Sequence, residues 1–156
     1  MPFEYLPVMA QNSAPKPPRV LATSSAQTWC PITKPLNQSR VALLSSAALR
    51  LAGQQPFIPR EDLSYRRIPS DPGGGAILID HHSGIGTVPK QDPEIVFPRA
   101  ALAALAENRT IGALAPSYYS FMGGVRRHEE IENELAPSLA DELATAGVDL
   151  ALLVPY

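Results

Sequence analysis

Four short apolar runs, residues 41–44, 76–79, 111–115 and 148–154, alternate with stretches of helical spacing from Arg40 onward. A run of four to seven apolar residues is too short for a core helix and suits a strand buried on both faces. Between the runs, a helix is predicted from Pro98 to about Glu107, with Asn108 as its left-handed stop. Ile131, Leu135, Leu139 and Leu143 make a stripe of four-residue spacing that keeps phase through Pro137, so one kinked helix closed by Gly147 is expected. A brief helical stretch is read over residues 46–51, stopped by Gly53, and residues 54–75 read as a long Pro-, Arg- and Gly-rich connection. Strands alternating with helices pair in parallel through crossovers. The expected fold is therefore α/β: an open, mostly parallel, Rossmann-like sheet with flanking helices, incomplete at its C-terminal end.

The chain has 156 residues, enough for one domain. Its 17 prolines are about twice the usual ~5% share. Pro15, Pro17 and Pro18 forbid a helix near the start. Residues 1–39 read as a partly disordered Pro/Ser-rich arm that Phe3, Tyr5, Leu6 and Trp29 could pin to a folded α/β domain spanning 40–156. A net charge of −2 supplies no basic field for nucleic acid or an anionic membrane. The single cysteine, Cys30, excludes a disulfide framework. With no apolar run long enough to span a bilayer and no basic-then-apolar leader, a cytoplasmic location is expected.

Ligands of open α/β sheets sit beyond the carboxyl ends of the strands. Those ends carry Ser45-Ser46, Asp80-His81-His82 and Ser117-Tyr118-Tyr119-Ser120. Asp80 and His82 are the candidate acid/base residues. His81, Tyr118, Tyr119 and Ser120 are candidate substrate contacts, although the tyrosine segment could equally pack beneath the next helix. Tyr65 and Arg66 are further candidates. Arg66 could hold a carboxylate in its planar fork or serve as a clasp tying the connection to the sheet. Adjacent histidines on an extended segment point to opposite sides, so no metal site is expected. Residues 73–75, three glycines, precede a strand rather than a helix and do not form a phosphate loop. Ser45-Ser46 lacks nucleophile-elbow glycines, so a hydrolase or transferase built on Asp80 and His82 has no visible nucleophile.

Residues 61–69, Glu-Asp-Leu-Ser-Tyr-Arg-Arg-Ile-Pro, carry an Asp-x-Ser-Tyr-Arg-x-Ile-Pro pattern. Val96-Phe97-Pro98 leads into a helix, followed by Ile111-Gly112-x-Leu114-Ala115, Tyr119-Ser120-Phe121-Met122-Gly123 and the apolar stretch 147–155. In order and spacing these segments resemble the selenoprotein B family, comprising the B-protein subunit of glycine, sarcosine and betaine reductases and its D-proline reductase counterpart. Where that family usually carries a His-x-(His/Tyr)-x-Asp pattern, this chain reads Asp80-His81-His82-Ser83.

The resemblance implies reductive cleavage of a C–N bond in glycine, betaine, sarcosine, proline or a related small amino-acid-like substrate. It implies a selenocysteine or cysteine redox motif beyond Tyr156, with a selenolate as nucleophile, extending the thiolate logic of cysteine. A thioredoxin-type or dithiol reductant and partner subunits, one of them pyruvoyl-bearing, are implied as well. On this reading the chain is the N-terminal part of such a subunit, ended by a selenocysteine codon read as a stop. It should then be inactive alone and expose an apolar edge near residues 148–154. The alternative is a non-catalytic α/β binding or scaffolding subunit of a reductase-like complex.

Overall fold

Strand β1 (Arg40–Ser45) is buried along its whole length after Arg40, as a central strand must be. The computed structural model describes residues 31–71, 73, 75–82 and 87–156. Most of the expected arm, with Trp29 and Cys30, and the centre of the triple glycine therefore lie outside the described residues. Residues 32–156 form one compact unit. Strand β2 (Leu49–Leu51), β3 (Tyr65–Pro69), β4 (Ile77–Ile79), β5 (Ala113–Leu114), β6 (Ser117–Phe121) and β7 (Leu150–Val154) follow in chain order. β7 pairs with β1 in parallel over its full length, while β5 and β6 share the other side of β1, also in parallel. Pro116, lacking an N–H, separates β5 from β6. β3 is antiparallel on the outer edge of β6. The fold is α/β with a mostly parallel sheet, as expected.

Several local expectations fail for physical reasons. No helix follows β1. Ala48 takes a left-handed φ of 52°, and the amide of Leu49 donates to Ser120 Oγ at 2.8 Å, turning the chain into β2. β2 pairs only with β4, in a separate antiparallel ribbon, so the second apolar run is not part of the parallel sheet. The connection over 54–75 contains β3, whose residues pair one to one with Ser117–Phe121. The expected third strand ends at Leu114, and the tyrosine segment after it is itself a strand.

Helix α1 (Thr87–Gln91) and a 3-10 turn (Pro93–Ile95) precede α2 (Arg99–Glu107). α2 begins just after Pro98 as predicted, but Arg109 at φ 60°, not Asn108, takes the left-handed position. The kinked helix is α3 (His128–Glu130), a π-helical turn (Ile131–Leu135) and α4 (Ala136–Thr145). The widened turn falls just ahead of Pro137, whose ring cannot donate to the regular ladder. Gly147 closes it at φ 65°.

Alternation along the strands divides the core between two faces. Val41, Leu43, Ile68, Phe97, Leu102 and Tyr118 lie on one. Ala42, Leu44, Ala115, Tyr119 and Leu139 lie on the other, under α4. Residues 34–39 are tied to the amino ends of the strands. Lys34 Nζ reaches Asp149 at 2.6 Å, and Gly112 N donates to the Leu36 carbonyl at 2.9 Å. A Cβ at Gly112 would lie 2.6 Å from the Gln38 backbone. β7 carries exposed Leu152 and Leu153, so the apolar edge expected there is present.

Candidate functional site

The carboxyl ends of β1, β6 and β7 meet at Ser46. Its amide donates to the Val154 carbonyl at 3.3 Å and its carbonyl accepts from Gly123 N at 2.8 Å. Its hydroxyl accepts from Tyr156 N at 2.8 Å. Gly123 sits at the centre of this junction. A Cβ there would lie 2.7 Å from Ser46 O, 3.0 Å from Tyr156 O and 3.1 Å from His81 Nε2. Gly124, at φ 71°, then turns the chain away from the crevice.

β4 brings in the histidines. Asp80 N donates to the Ala48 carbonyl at 3.1 Å. Asp80 Oδ2 accepts from Arg50 Nε at 2.7 Å and from Phe57 N at 2.9 Å. Asp80 thus clamps the ribbon and aims the two residues after it. His81 packs edge-on against Tyr156, ring centroids 5.0 Å apart. His82 stacks on His81 at 5.0 Å and 19°, so the two rings lie side by side and not on opposite faces as predicted for an extended segment. Arg60 Nε donates to His82 Nε2 at 2.9 Å.

Burial, then the neighbouring His82, hold the His81 imidazole below its ordinary value of 6.5, partly offset by a hydrogen bond with the Gly123 backbone. The folded state therefore binds fewer protons than the unfolded chain below that pH. Stability is full above about pH 6.5 and falls as the pH drops toward the folded value. The unfolding midpoint should decline on acidification in the native protein and less steeply in His81→Phe. Equal slopes in paired thermal melts would contradict this origin.

Two clefts flank Gly124. One, about 300 Å³, is lined by Ser46, Met122, Gly123, His128 and Tyr156 among others. The second, about 420 Å³, is lined by Arg60, Glu61, His82, Gly124, Arg126 and Arg127. A larger open groove of about 780 Å³ runs beside α4, lined by Arg67, Ser117, Tyr119 and Glu142 among others, with Arg67 paired to Glu142. It reaches the amino end of β6, the wrong end for a ligand in such a sheet, and holds neither histidine. Among the described residues, no three His, Cys, Asp or Glu side chains are grouped to hold a metal ion.

Over 125 residues the chain is 32% identical to D-proline reductase subunit gamma of Acetoanaerobium sticklandii, a match covering 80% of this chain and 52% of that protein. The chain is thus similar in sequence to part of a reductase subunit. It spans about half the length of that curated relative. No family model matches it, and no solved structure does. Among the described residues, no helix is long and apolar enough to cross a membrane.

In the structure the sequence-predicted residues separate clearly. His81 and His82 reach the crevice, and Asp80 stands behind them. Arg66 does not. Its five N–H groups meet Gln55 O, Ser64 Oγ, Tyr65 O, Pro56 O and Asp62 Oδ2, and the guanidinium lies 4.0 Å over Phe57. No fork is left for a substrate carboxylate, so Arg66 is the clasp. Tyr65 meets Tyr119 edge-on at 5.8 Å, on the α4 side. Ser120 is a sheet staple: its hydroxyl accepts from Leu49 N and donates to Ser45 O at 3.0 Å.

Tyr118 is a core residue, fully buried and edge-on to Phe97 at 5.8 Å. Burial pushes its phenol up to about 12. Its hydroxyl has no hydrogen-bond partner among the described residues. Removing an unsatisfied buried hydroxyl is neutral or slightly favourable. Tyr118→Phe should therefore leave stability within about 1 kcal/mol of the native chain, and ligand binding unchanged, in urea unfolding and calorimetry. Sequence reasoning missed Arg60, Gly123, Arg126 and Tyr156. The Gly123-Gly124 pair at the end of an apolar strand was the available clue to the middle of the crevice.

Proposed function

We propose that this chain forms the substrate crevice of a reductase subunit that cleaves a C–N bond of a proline-like or other small amino-acid-derived substrate. The observation that carries the reading is the meeting of three strand ends with His81 and His82 at Gly123, in a chain homologous to a D-proline reductase subunit. Cleavage consumes two electrons and two protons. The nitrogen leaves with the C–N electron pair and gains one proton, the carbon gains the other, and a dithiol donor becomes a disulfide.

The selenocysteine or cysteine expected beyond Tyr156 would supply the nucleophile and pass on the donor's electrons. The site is suited to it: Tyr156 is anchored by Ser46, and its carbonyl lies 3.0 Å from the Cβ position at Gly123, beside His81. His81, kept neutral by burial, accepts a proton from an acidic group brought next to it. While Arg60 donates to Nε2, His82 cannot hold a proton there. When that bond opens, Nε2 takes up a proton that the ring can deliver to the leaving nitrogen. Asp80 acts as a positioning residue. The reductase would work in the cytoplasm with other subunits of its complex.

A chimera tests the reading: residues 32–156 replace the matching stretch of the Acetoanaerobium subunit within its complex, and D-proline-dependent oxidation of a dithiol is followed. Turnover is expected, with loss in His82→Gln. A chimera that assembles and binds D-proline without turnover would favour the non-catalytic binding subunit.

A further inference from the structure

The arginines of this protein are mostly committed. Arg40, Arg50, Arg67 and Arg127 each have an acceptor, the Ala146 carbonyl, Asp80, Glu142 and Glu130, and Arg99 is ion-paired with Glu94 at 3.5 Å. Arg66 has five. Two in the second cleft are not spent in this way. Arg126 makes no hydrogen bond or ion pair among the described residues, and Arg60 spends only Nε, on His82, leaving both Nη groups without a described acceptor. Arg60 also holds a left-handed φ of 65°, uncommon for a residue with a side chain. Uncommitted guanidiniums thus gather beside the candidate proton carrier.

We infer that Arg60 and Arg126 form a carboxylate-binding subsite that seats the acid group of a small amino-acid substrate against His82. The inference rests on the proposed function and deepens it. The cleft also contains Glu61. With Arg127 paired to Glu130, the Arg126 guanidinium and the two Nη groups of Arg60 beside the Glu61 carboxylate suit a zwitterion, whose acid group takes the fork while its cationic nitrogen is attracted to Glu61; a phosphate dianion would be repelled by that same carboxylate. His82 Cε1 lies 4.0 Å from a Cβ position at Gly124, and Gly124 borders both clefts. A molecule seated by its acid group can therefore extend past Gly124 toward Ser46 and His81. Binding also has a consequence for the proton carrier: a carboxylate that draws Arg60 away opens His82 Nε2 to protonation.

The test is calorimetric titration of the full chain with D-proline, pyrrolidine, propionate and inorganic phosphate. The native chain should bind D-proline and not pyrrolidine. Arg60→Gln and Arg126→Gln should each weaken D-proline about ten- to a hundredfold, the usual weight of a charged hydrogen bond. Arg109→Gln, an exposed arginine in the turn at the opposite end of the sheet, should change nothing. Should propionate bind as tightly as D-proline with the same arginine dependence, the subsite stands while the C–N substrate reading falls. Arginine-dependent binding of phosphate alone overturns the subsite, as does D-proline binding that survives the double arginine variant. Failure of the native chain to bind either carboxylate overturns it too. Each variant replaces an exposed side chain, and circular dichroism of each should match the native chain.

Discussion

Gly123→Ala should both destabilise the protein and close its crevice. The new methyl would stand 2.7 Å from the Ser46 carbonyl oxygen and 3.0 Å from that of Tyr156. The Ser46 oxygen is held by the Gly123 amide and that of Tyr156 accepts from the Ser46 hydroxyl at 3.4 Å, so relief requires the ends of β1 and β6 to separate or Tyr156 to shift. Overpacking of this kind costs about 1–3 kcal/mol, and the movement would break the Gly123 N to Ser46 O bond at the junction. Urea unfolding should show the loss, and the D-proline binding expected from the proposed function should be abolished in titration. Gly53 provides the contrast, since a Cβ there meets nothing within 4 Å. Gly53→Ala should be neutral in both assays. Equal behaviour of the two variants would mean that the three strand ends do not meet as described.

Phe97→Ala should be the most damaging single core change. The ring is fully buried, packs edge-on against Tyr118 and belongs to the cluster centred on Val41, Leu43 and Ile68. Deleting a buried aromatic side chain costs about 3–5 kcal/mol, and the loss grows with the cavity left behind. Against a typical domain stability of about 5–15 kcal/mol, that is a large share of the total. A lowered urea midpoint with unchanged slope is expected, with Phe97→Leu affected less. A Phe97→Ala midpoint close to the native one would show that the face beneath α2 contributes little to stability.

The difference between these positions explains what could be read from the chain. Phe97 lies in an apolar stretch leading into a helix, and its burial was open to pattern reasoning. Gly123 carries no side chain and has no pattern of its own; its meaning is the distance to Ser46, 77 positions earlier, and to Tyr156. Arg66 shows the same limit from the other direction. Its sequence is open to both a ligand fork and a structural clasp, and the acceptors that decide for the clasp are chiefly backbone carbonyls set by tertiary folding. Arg60 and Arg126 are ordinary surface arginines in sequence, and it is their shared cleft beside His82 that sets them apart.

From order and period alone, the chain determined its class: apolar runs that become strands, an apolar stripe that gives a helix one face toward a sheet, and polar residues concentrated at strand ends. These follow from burial and backbone hydrogen bonding, which act on every residue wherever its partners lie. Tertiary structure alone decided that β4 leaves the sheet for a ribbon, that β3 arises inside an apparent loop, and that two neighbouring histidines stack. Each depends on contacts between residues distant in sequence, and the free energy of such a contact exists only once both sides have been brought together.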